Sequence, residues 1–305
     1  MEHLKNKLKK VGIIKDFYLF CEKRYFRLIS KFSPIMATKY IFKKTTRKKL
    51  NLNNPQTFNE KIQWLKLKWN NPMVISCADK YEVRKYVKDQ GLEHMLNELY
   101  YVYDNVDDLR WEELPDKFAL KLTNGSGTNL ISDDKNKLQK SEVLNILNTW
   151  MKTDFGKEFV EIHYSKMKSR VICERYLETE QGFLPNDYKI FCFNGTPKML
   201  YVGIIENGYT HKTFYDLEWN KMNILKGEHK ILDFERPKSL NEMINYATIL
   251  SKPFPFVRVD FFDIDGKPVF GEMTFTPTGG LATYYTDEAQ LMLGSWITLP
   301  QEKMQ

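Results

Sequence analysis

Hydrophobic positions along the chain change period several times, and each change marks an element. Residues 118–122, F-A-L-K-L, form a short apolar strand in which alternation sends Lys121 to the face opposite Leu120 and Leu122. Residues 257–275, V-R-V-D-F-F-D-I-D-G-K-P-V-F-G-E-M-T-F, read as two strands around a tight turn. Val257, Val259 and Phe261 share one face and Arg258 and Asp260 the other; on the return strand Phe270, Glu272 and Thr274 share a face. A three-residue loop, Asp265 to Lys267, sets Asp260 opposite Glu272, whereas a two-residue loop would set it opposite Gly271 and part the acids. Residues 76–91 have the spacing of one amphipathic helix ended by Gly91, and helices are also predicted over 138–158 and 240–251. Strands dominate 171–213. Residues 1–75 read as mostly helical, with a turn at 51–55 and a capped start at Thr57-Phe58-Asn59-Glu60. Strands and helices are mixed rather than alternating, which predicts an α+β architecture.

Composition narrows the class. The 305 residues, 42% hydrophobic and 14% aromatic, suffice for a sizeable core and two or three subdomains. The four cysteines have no C-x-x-C spacing, which fits reduced thiols and a cytoplasmic setting. Lys15 and Asp16 interrupt the first apolar run and no run of 18 apolar residues occurs, so neither a signal peptide nor a membrane span is predicted. Charge is uneven: residues 1–50 carry 15 Lys and Arg against three acids, a net of +12, in a chain whose total is +7, leaving −5 for the rest. With the aromatics and aliphatics of 17–29, this segment reads either as a surface for anionic lipid, peripheral at the inner face of the membrane, or as a helical pair docked on the body with a solvated basic face. No nucleic-acid motif follows it, and no nucleic-acid partner is expected.

The candidate chemistry begins with the acids of the last hairpin. Two adjacent carboxylates repel each other unless a cation lies between them, and hard oxygen ligands suit Mg²⁺ on a nucleotide's phosphates. A calcium loop is excluded because its first position would be Phe261. Asp263-Ile264-Asp265 is a D-x-D triplet of the kind glycosyltransferases use for a metal-bound sugar nucleotide, and a plain polar turn also accounts for these residues. After the strand at 118–122 comes N-G-S-G-T-N: a hairpin turn, or a loop whose small residues let backbone N–H groups approach an anion beside Lys121. P-loop and dinucleotide patterns are absent.

The order of these pieces resembles the ATP-grasp superfamily: A-D-K-Y-E-V-R at 78–84, F-A-L-K with its glycine loop at 118–127, E-R-Y-L at 174–177, D-Y-K at 187–189, then the acidic hairpin. More narrowly, F-N-E-K-I-Q-W-L-K at 58–66, V-R-V-D-F-F and F-G-E-M-T-F-T-P look like the TupA-like ATP-grasp family, associated with teichuronopeptide and other cell-surface polysaccharide synthesis. The resemblance implies an ATP-grasp fold with a lid subdomain, a C-terminal antiparallel sheet and a basic helical N-terminal extension. It divides the chain into 1–75, 76–172 with the lid, 173–297 with the metal site, and a tail at 298–305.

Carried over by position, the resemblance makes Lys80 and Lys121 phosphate contacts, and Asn124, Gly125, Ser126, Gly127 and Thr128 the lid over the β- and γ-phosphates. Glu174, Arg175, Tyr176 and Leu177 become the adenine hinge. Asp260 and Glu272 become Mg²⁺ ligands, with Thr274 where many members have an Asn, a weaker ligand. Asp187 and Lys189 fall at ribose, phosphate or acceptor contacts. Arg258 either pairs with Asp260 or faces an acyl phosphate as a charge stabiliser, the reading favoured here. The implied reaction uses ATP and Mg²⁺ to join a carboxylate, on a sugar or glycan, to an amine or amino acid through an acyl phosphate, with no Ser or Cys nucleophile. A metal-dependent glycosyltransferase and a non-catalytic subunit of glycan assembly are the rival expectations.

Overall fold

A computed structural model of the chain describes residues 24–26, 28–157, 159–206, 209–227 and 230–301. The first half of the basic segment and the end of the tail therefore lie outside the described residues. Two antiparallel sheets organise the rest. The first contains β1 (Leu99–Tyr103), β2 (Phe118–Leu122), β3 (Asn129–Ser132) and β4 (Val171–Arg175), in the order β1-β4-β2-β3. The second contains β5 (Asp187–Phe193), β6 (Thr196–Glu206), β7 (Tyr209–Tyr215), β8 (Phe256–Ile264) and β9 (Lys267–Thr274), in the order β7-β6-β5-β8-β9. The chain crosses from one sheet to the other over residues 176–186.

Helices cover these sheets unequally. α1 (Pro34–Thr46), α2 (Phe58–Lys68), α3 (Pro72–Ala78) and α4 (Val83–Asp89) precede the first strand. α5 (Lys140–Lys152) and α6 (Ile162–Ser165) separate β3 from β4, α7 (Leu240–Ser251) precedes β8, and α8 (Asp287–Ser295) follows β9. One face of the second sheet packs Val257, Val259 and Phe261 against Met243, Ala247 and Leu250 of α7. Its other face packs Phe191, Phe193 and Phe256 against Phe58 of α2 and Leu293 of α8, with ring centroids of Phe58 and Phe256 5.1 Å apart. Burial on both faces explains why β8 reads as nearly continuous apolar sequence apart from Arg258, Asp260 and, near the turn, Asp263. The N-terminal helices are thus part of the C-terminal core rather than an appendage.

Three expectations are corrected. The hairpin at 265–267 is a two-residue turn, Asp265-Gly266, with both residues at positive φ (53° and 84°), and Ile264 pairs Lys267. Asp260 nevertheless faces Glu272, because Gly271 forms a bulge that restores the pairing. A side chain at 271 would lie 3.0 Å from the Asp260 carbonyl, which is why glycine stands there. The single helix expected over 76–91 is two helices: the Asp79 carboxylate accepts from the backbone N–H of Tyr81 and Glu82 and breaks the run at Lys80. The helix at 138–158 is shorter, stopping at Lys152. The helix at 240–251 and the strand at 118–122 stand as expected.

Candidate functional site

The charged groups form a grid on three neighbouring strands. Lys189 of β5 lies opposite Asp260 of β8, Asp260 opposite Glu272 of β9, and Arg258 opposite Thr274. Alternation gives all of them the face shared with Phe191, Phe193 and Phe256, so half of that face is aromatic core and half is charged. Asp260 is 1% exposed and survives burial because it is doubly paired. Arg258 donates to both its oxygens at 2.6 Å, and Lys189 donates to Oδ2 at 2.8 Å and also to Asp187. Arg258 Nη2 further reaches Thr274 Oγ1 at 2.9 Å and Glu272 Oε1 at 3.2 Å, while Lys80 Nζ stands 3.7 Å from Glu272 Oε2. Lys80, Lys189 and Arg258 balance Asp187, Asp260 and Glu272, so the cluster carries little net charge.

Titration follows from that grid. Burial alone would raise the Glu272 carboxyl, but Lys80, Arg258 and Lys189 around it bring it down to about 2. Burial pushes Asp187 up to about 6, against Lys189 and with the charge of Asp260. Its Oδ1 is buried without a hydrogen-bond partner. Burial lowers Lys189, yet Asp260 and Asp187 hold it above its ordinary value.

The opposite wall comes from the first sheet. The segment 123–128 joins β2 to β3 as a closed loop, with Leu122 N–H donating to the Thr128 carbonyl at 3.1 Å. Gly127 has φ +70°, and a side chain at Gly125 would lie 2.2 Å from Thr128 Oγ1. Asn124 holds the loop through Ser169 at 2.9 Å. The helix break at Asp79 turns Lys80 toward this loop, its N–H on the Thr123 carbonyl and its Nζ 2.7 Å from the Gly125 carbonyl. Lys121 pairs with Glu174 at 2.7 Å, and Glu174 with Arg84 at 3.3 Å.

Between the walls lies a cavity of about 580 Å³. It brings together Lys80, Lys121, Gly125, Ser126, Gly127, Asp187, Lys189, Arg258, Asp260, Glu272 and Thr274. Asn124 and Thr128 are buried behind the loop, and Glu174 behind Lys121. Arg175, Tyr176 and Leu177 do not line the cavity. The backbone of Arg175 is engaged by Glu98 and Asn97, and Tyr176 lies beneath Lys117 at 5.6 Å.

The cavity also has a floor that sequence reasoning missed, made of Phe159, Glu161, Tyr164 and the segment from Thr276 to Gly279. Glu161 accepts from the Thr276 hydroxyl. The polar residues of F-N-E-K-I-Q-W-L-K hold this floor through backbone carbonyls. Asn59 donates to Ala282, Gln63 to Gly279 and Gly280, Lys61 to Ile297, and Lys66 to Phe159, all at 2.7–2.9 Å. Burial brings Lys66 down to about 8, with Glu161 acting in the opposite sense. The available signal was P-T-G-G at 277–280, where a side chain at Gly280 would meet Ile62 and Gln63 at 2.8 Å.

Among the described residues no three His, Cys, Asp or Glu side chains gather around a common centre. A divalent ion here would have two carboxylates, Asp260 and Glu272, and the Thr274 hydroxyl, an all-oxygen set that fits Mg²⁺ completed by phosphate and water. The D-x-D acids are engaged elsewhere: Asp263 accepts from Gly266 N–H at 2.7 Å and Ser239 Oγ at 2.5 Å, and Asp265 from Glu180 N–H at 2.9 Å. Cys77, Cys173 and Cys192 are buried free thiols, each pushed up to about 12 chiefly by burial.

A two-sheet architecture with a glycine loop and lysines facing paired acids is that of an ATP-grasp protein. The profile of TupA-like ATPgrasp matches residues 60–298, and the chain belongs to that family. Solved structures similar to it include D-alanine–D-alanine ligase from Bacillus anthracis complexed with ATP, 18% identical over 66% of this chain and 55% of that one, with a TM-score of 0.39. The D-alanine–D-alanine ligase from Helicobacter pylori is 15% identical over 79% and 69%, TM-score 0.41. The ATP-grasp ligase PsnB with minimal precursor, Mg and ADP is 10% identical over 74% and 59%, TM-score 0.38. The chain spans little more than half the length of the first. No curated protein matches the sequence.

Proposed function

We propose that this protein is an ATP-dependent carboxylate–amine ligase of cell-surface polysaccharide synthesis or modification, joining a carboxylate-bearing sugar or glycan to an amine or amino acid. The observation that carries the reading is the facing of two walls across one cavity: lysines and a glycine loop on one, paired acids with Arg258 and Lys189 on the other. In this reading the division at 1–75, 76–172, 173–297 and 298–305 separates the extension, lid part, catalytic sheet and tail. The boundaries themselves need moving, because 75–76 falls inside α3 and 172–173 inside β4; the chain passes between the two sheets in the 176–186 connector.

Each side chain then has a physical task. Lys80 and Lys121 attract the phosphates, and the N–H groups of 125–127 receive them at close range. The adenine hinge expected at 174–177 has no support in this arrangement: Glu174 is held by Lys121 and Arg84, Arg175 has both backbone groups engaged, and none of the four lines the cavity. Asp260, Glu272 and Thr274 would hold Mg²⁺, which when bound would supply neutralisation of phosphate charge. The carboxylate oxygen of the acceptor attacks the γ-phosphorus and ADP departs. The amine then attacks the acyl carbon of the acyl phosphate, loses a proton, and phosphate leaves with the original carboxylate oxygen. Arg258 and Lys189 stabilise charge on the transferred group, while Asp187 keeps Lys189 in place. Catalysis by positioning and electrostatics calls for no thiol or hydroxyl nucleophile. The glycosyltransferase alternative is disfavoured because Asp263 is engaged by Gly266 and Ser239 and Asp265 by Glu180, and neither lines the cavity.

The test is product analysis with a panel of uronic acids and amino acids, with and without ATP. ADP and phosphate should appear only with a carboxylate acceptor, and hydroxylamine should trap a hydroxamate. Sugar transfer from a nucleotide donor in the absence of ATP would overturn the assignment.

A further inference from the structure

We propose that the tip of an N-terminal helical hairpin, Leu28 to Met36, seats in the surface of an anionic membrane. Residues 28–32 are helical, Ser33 is extended at φ −150°, and Pro34 opens α1 with the Ser33 hydroxyl accepting from Met36 N–H. The two arms fold back on each other: Tyr25 meets Tyr40 at 5.7 Å and Phe26 meets it at 6.2 Å. One side of the tip, through Ser30, Lys31 and Pro34, faces residues 152–165 across a cleft, and Leu28, Phe32, Ile35 and Met36 stand exposed.

The tip is apolar where apolar side chains have no folding role. Phe32 is 80% exposed, Met36 60%, Leu28 55% and Ile35 43%. The inner face of α1 is by contrast buried, through Ala37, Thr38 and Phe42. With Tyr25 at 52%, five of the thirteen large hydrophobics exposed among the described residues fall between positions 25 and 36. Scattered exposed hydrophobics need no explanation, but a cluster within twelve residues of one helical turn-around marks an interaction site.

Charge identifies the occupant. From Lys23 to Asn59 the chain holds ten Lys and Arg and no acid. Lys31 stands exposed within the tip, and Lys39 and Lys43 along α1 behind it. Apolar side chains at the tip with ammonium groups beside them and about one to two turns behind match the acyl boundary and phosphate layer of an anionic leaflet. A protein partner with a dry apolar pocket would have no use for an acid-free collar of this length. Thr45, at the far end of α1, lines the main cavity. Docking would set the cavity mouth about 14 Å from the surface along the α1 axis, within reach of a lipid-borne acceptor.

The experiment is co-sedimentation of the full chain with neutral phosphatidylcholine vesicles and with vesicles containing about one-third phosphatidylglycerol, at about 0.1 M and about 1 M salt. Anionic vesicles should bind at least about tenfold more tightly than neutral ones, and high salt should remove most of that gain. Phe32→Ser with Met36→Ser should weaken binding about tenfold without altering the fold, and Lys31→Gln, Lys39→Gln and Lys43→Gln together should do the same. Phe32→Trp should blue-shift in emission on anionic vesicles, which charge adsorption alone would not cause. Absence of vesicle binding, binding indifferent to Phe32→Ser with Met36→Ser, or a dimer that these substitutions dissolve without any lipid binding would each overturn the proposal.

Discussion

Two pairs of acids sit on one β-hairpin, and they are held in different ways. Asp263 at the turn spends both oxygens on the Gly266 N–H and on Ser239, and Asp265 gives one oxygen to the Glu180 N–H, contacts that fix the loop. Asp260 and Glu272 on the strands are held by Arg258, Lys189 and Lys80, side chains able to change partner when an anion or cation arrives. An acid satisfied by the backbone is part of the fold. One satisfied by ammonium and guanidinium groups at the edge of a cavity is poised for exchange, and this difference separates the two pairs more sharply than their sequence context does.

The largest effect should follow Asp260→Asn. It removes the charge that two buried cations share, so chemical denaturation should show a loss of about 3 kcal/mol, and turnover should vanish. Unchanged stability would mean that Arg258 and Lys189 have other compensation. Lys121→Ala should come next, weakening Mg·ATP binding about ten- to a hundredfold, read by calorimetry, with the fold intact.

Glu272→Gln sharpens the comparison through pH. The carboxyl lies near 2 in the folded chain against 4.5 for an unperturbed glutamate, so it releases its proton more readily folded than unfolded. Its stabilisation is therefore complete above about pH 4.5 and is lost as pH falls toward about 2. Acid unfolding followed by circular dichroism should be less steep over that window in the variant, and superimposable curves would remove Glu272 from the cationic grid.

The smallest effects belong to the turn. Asp263→Asn should cost about 1 kcal/mol of stability, through its bonds to Gly266 and Ser239, and Asp265→Asn less than about 0.5, since asparagine also tolerates positive φ. Turnover should survive both. Loss of activity with either one would erase the distinction between the pairs.

The facing of Asp260 and Glu272 was legible in the alternation of the strands, but for an incomplete reason. Sequence favoured a longer loop; the chain uses a tighter turn and a bulge at Gly271, and the need for that glycine comes from the Asp260 carbonyl across the ladder. The glycine loop and its lysines could be read because they are contiguous with a strand. Glu161, Tyr164 and Thr276 could not, because only the packing of α2 and α6 brings them under the cavity. The helix break at Asp79 escaped for a similar reason: the apolar spacing of 76–91 is helical throughout, and a side-chain cap overrides it.

The most direct test of the account is calorimetric titration of Mg·ATP into three proteins: the natural chain, Asp260→Asn with Glu272→Gln, and Asp263→Asn with Asp265→Asn. The strand-face pair should lose the Mg²⁺ dependence of binding, and the turn pair should bind as the natural chain does. Mg²⁺-dependent nucleotide binding that survives in the first variant and disappears in the second would contradict the assignment.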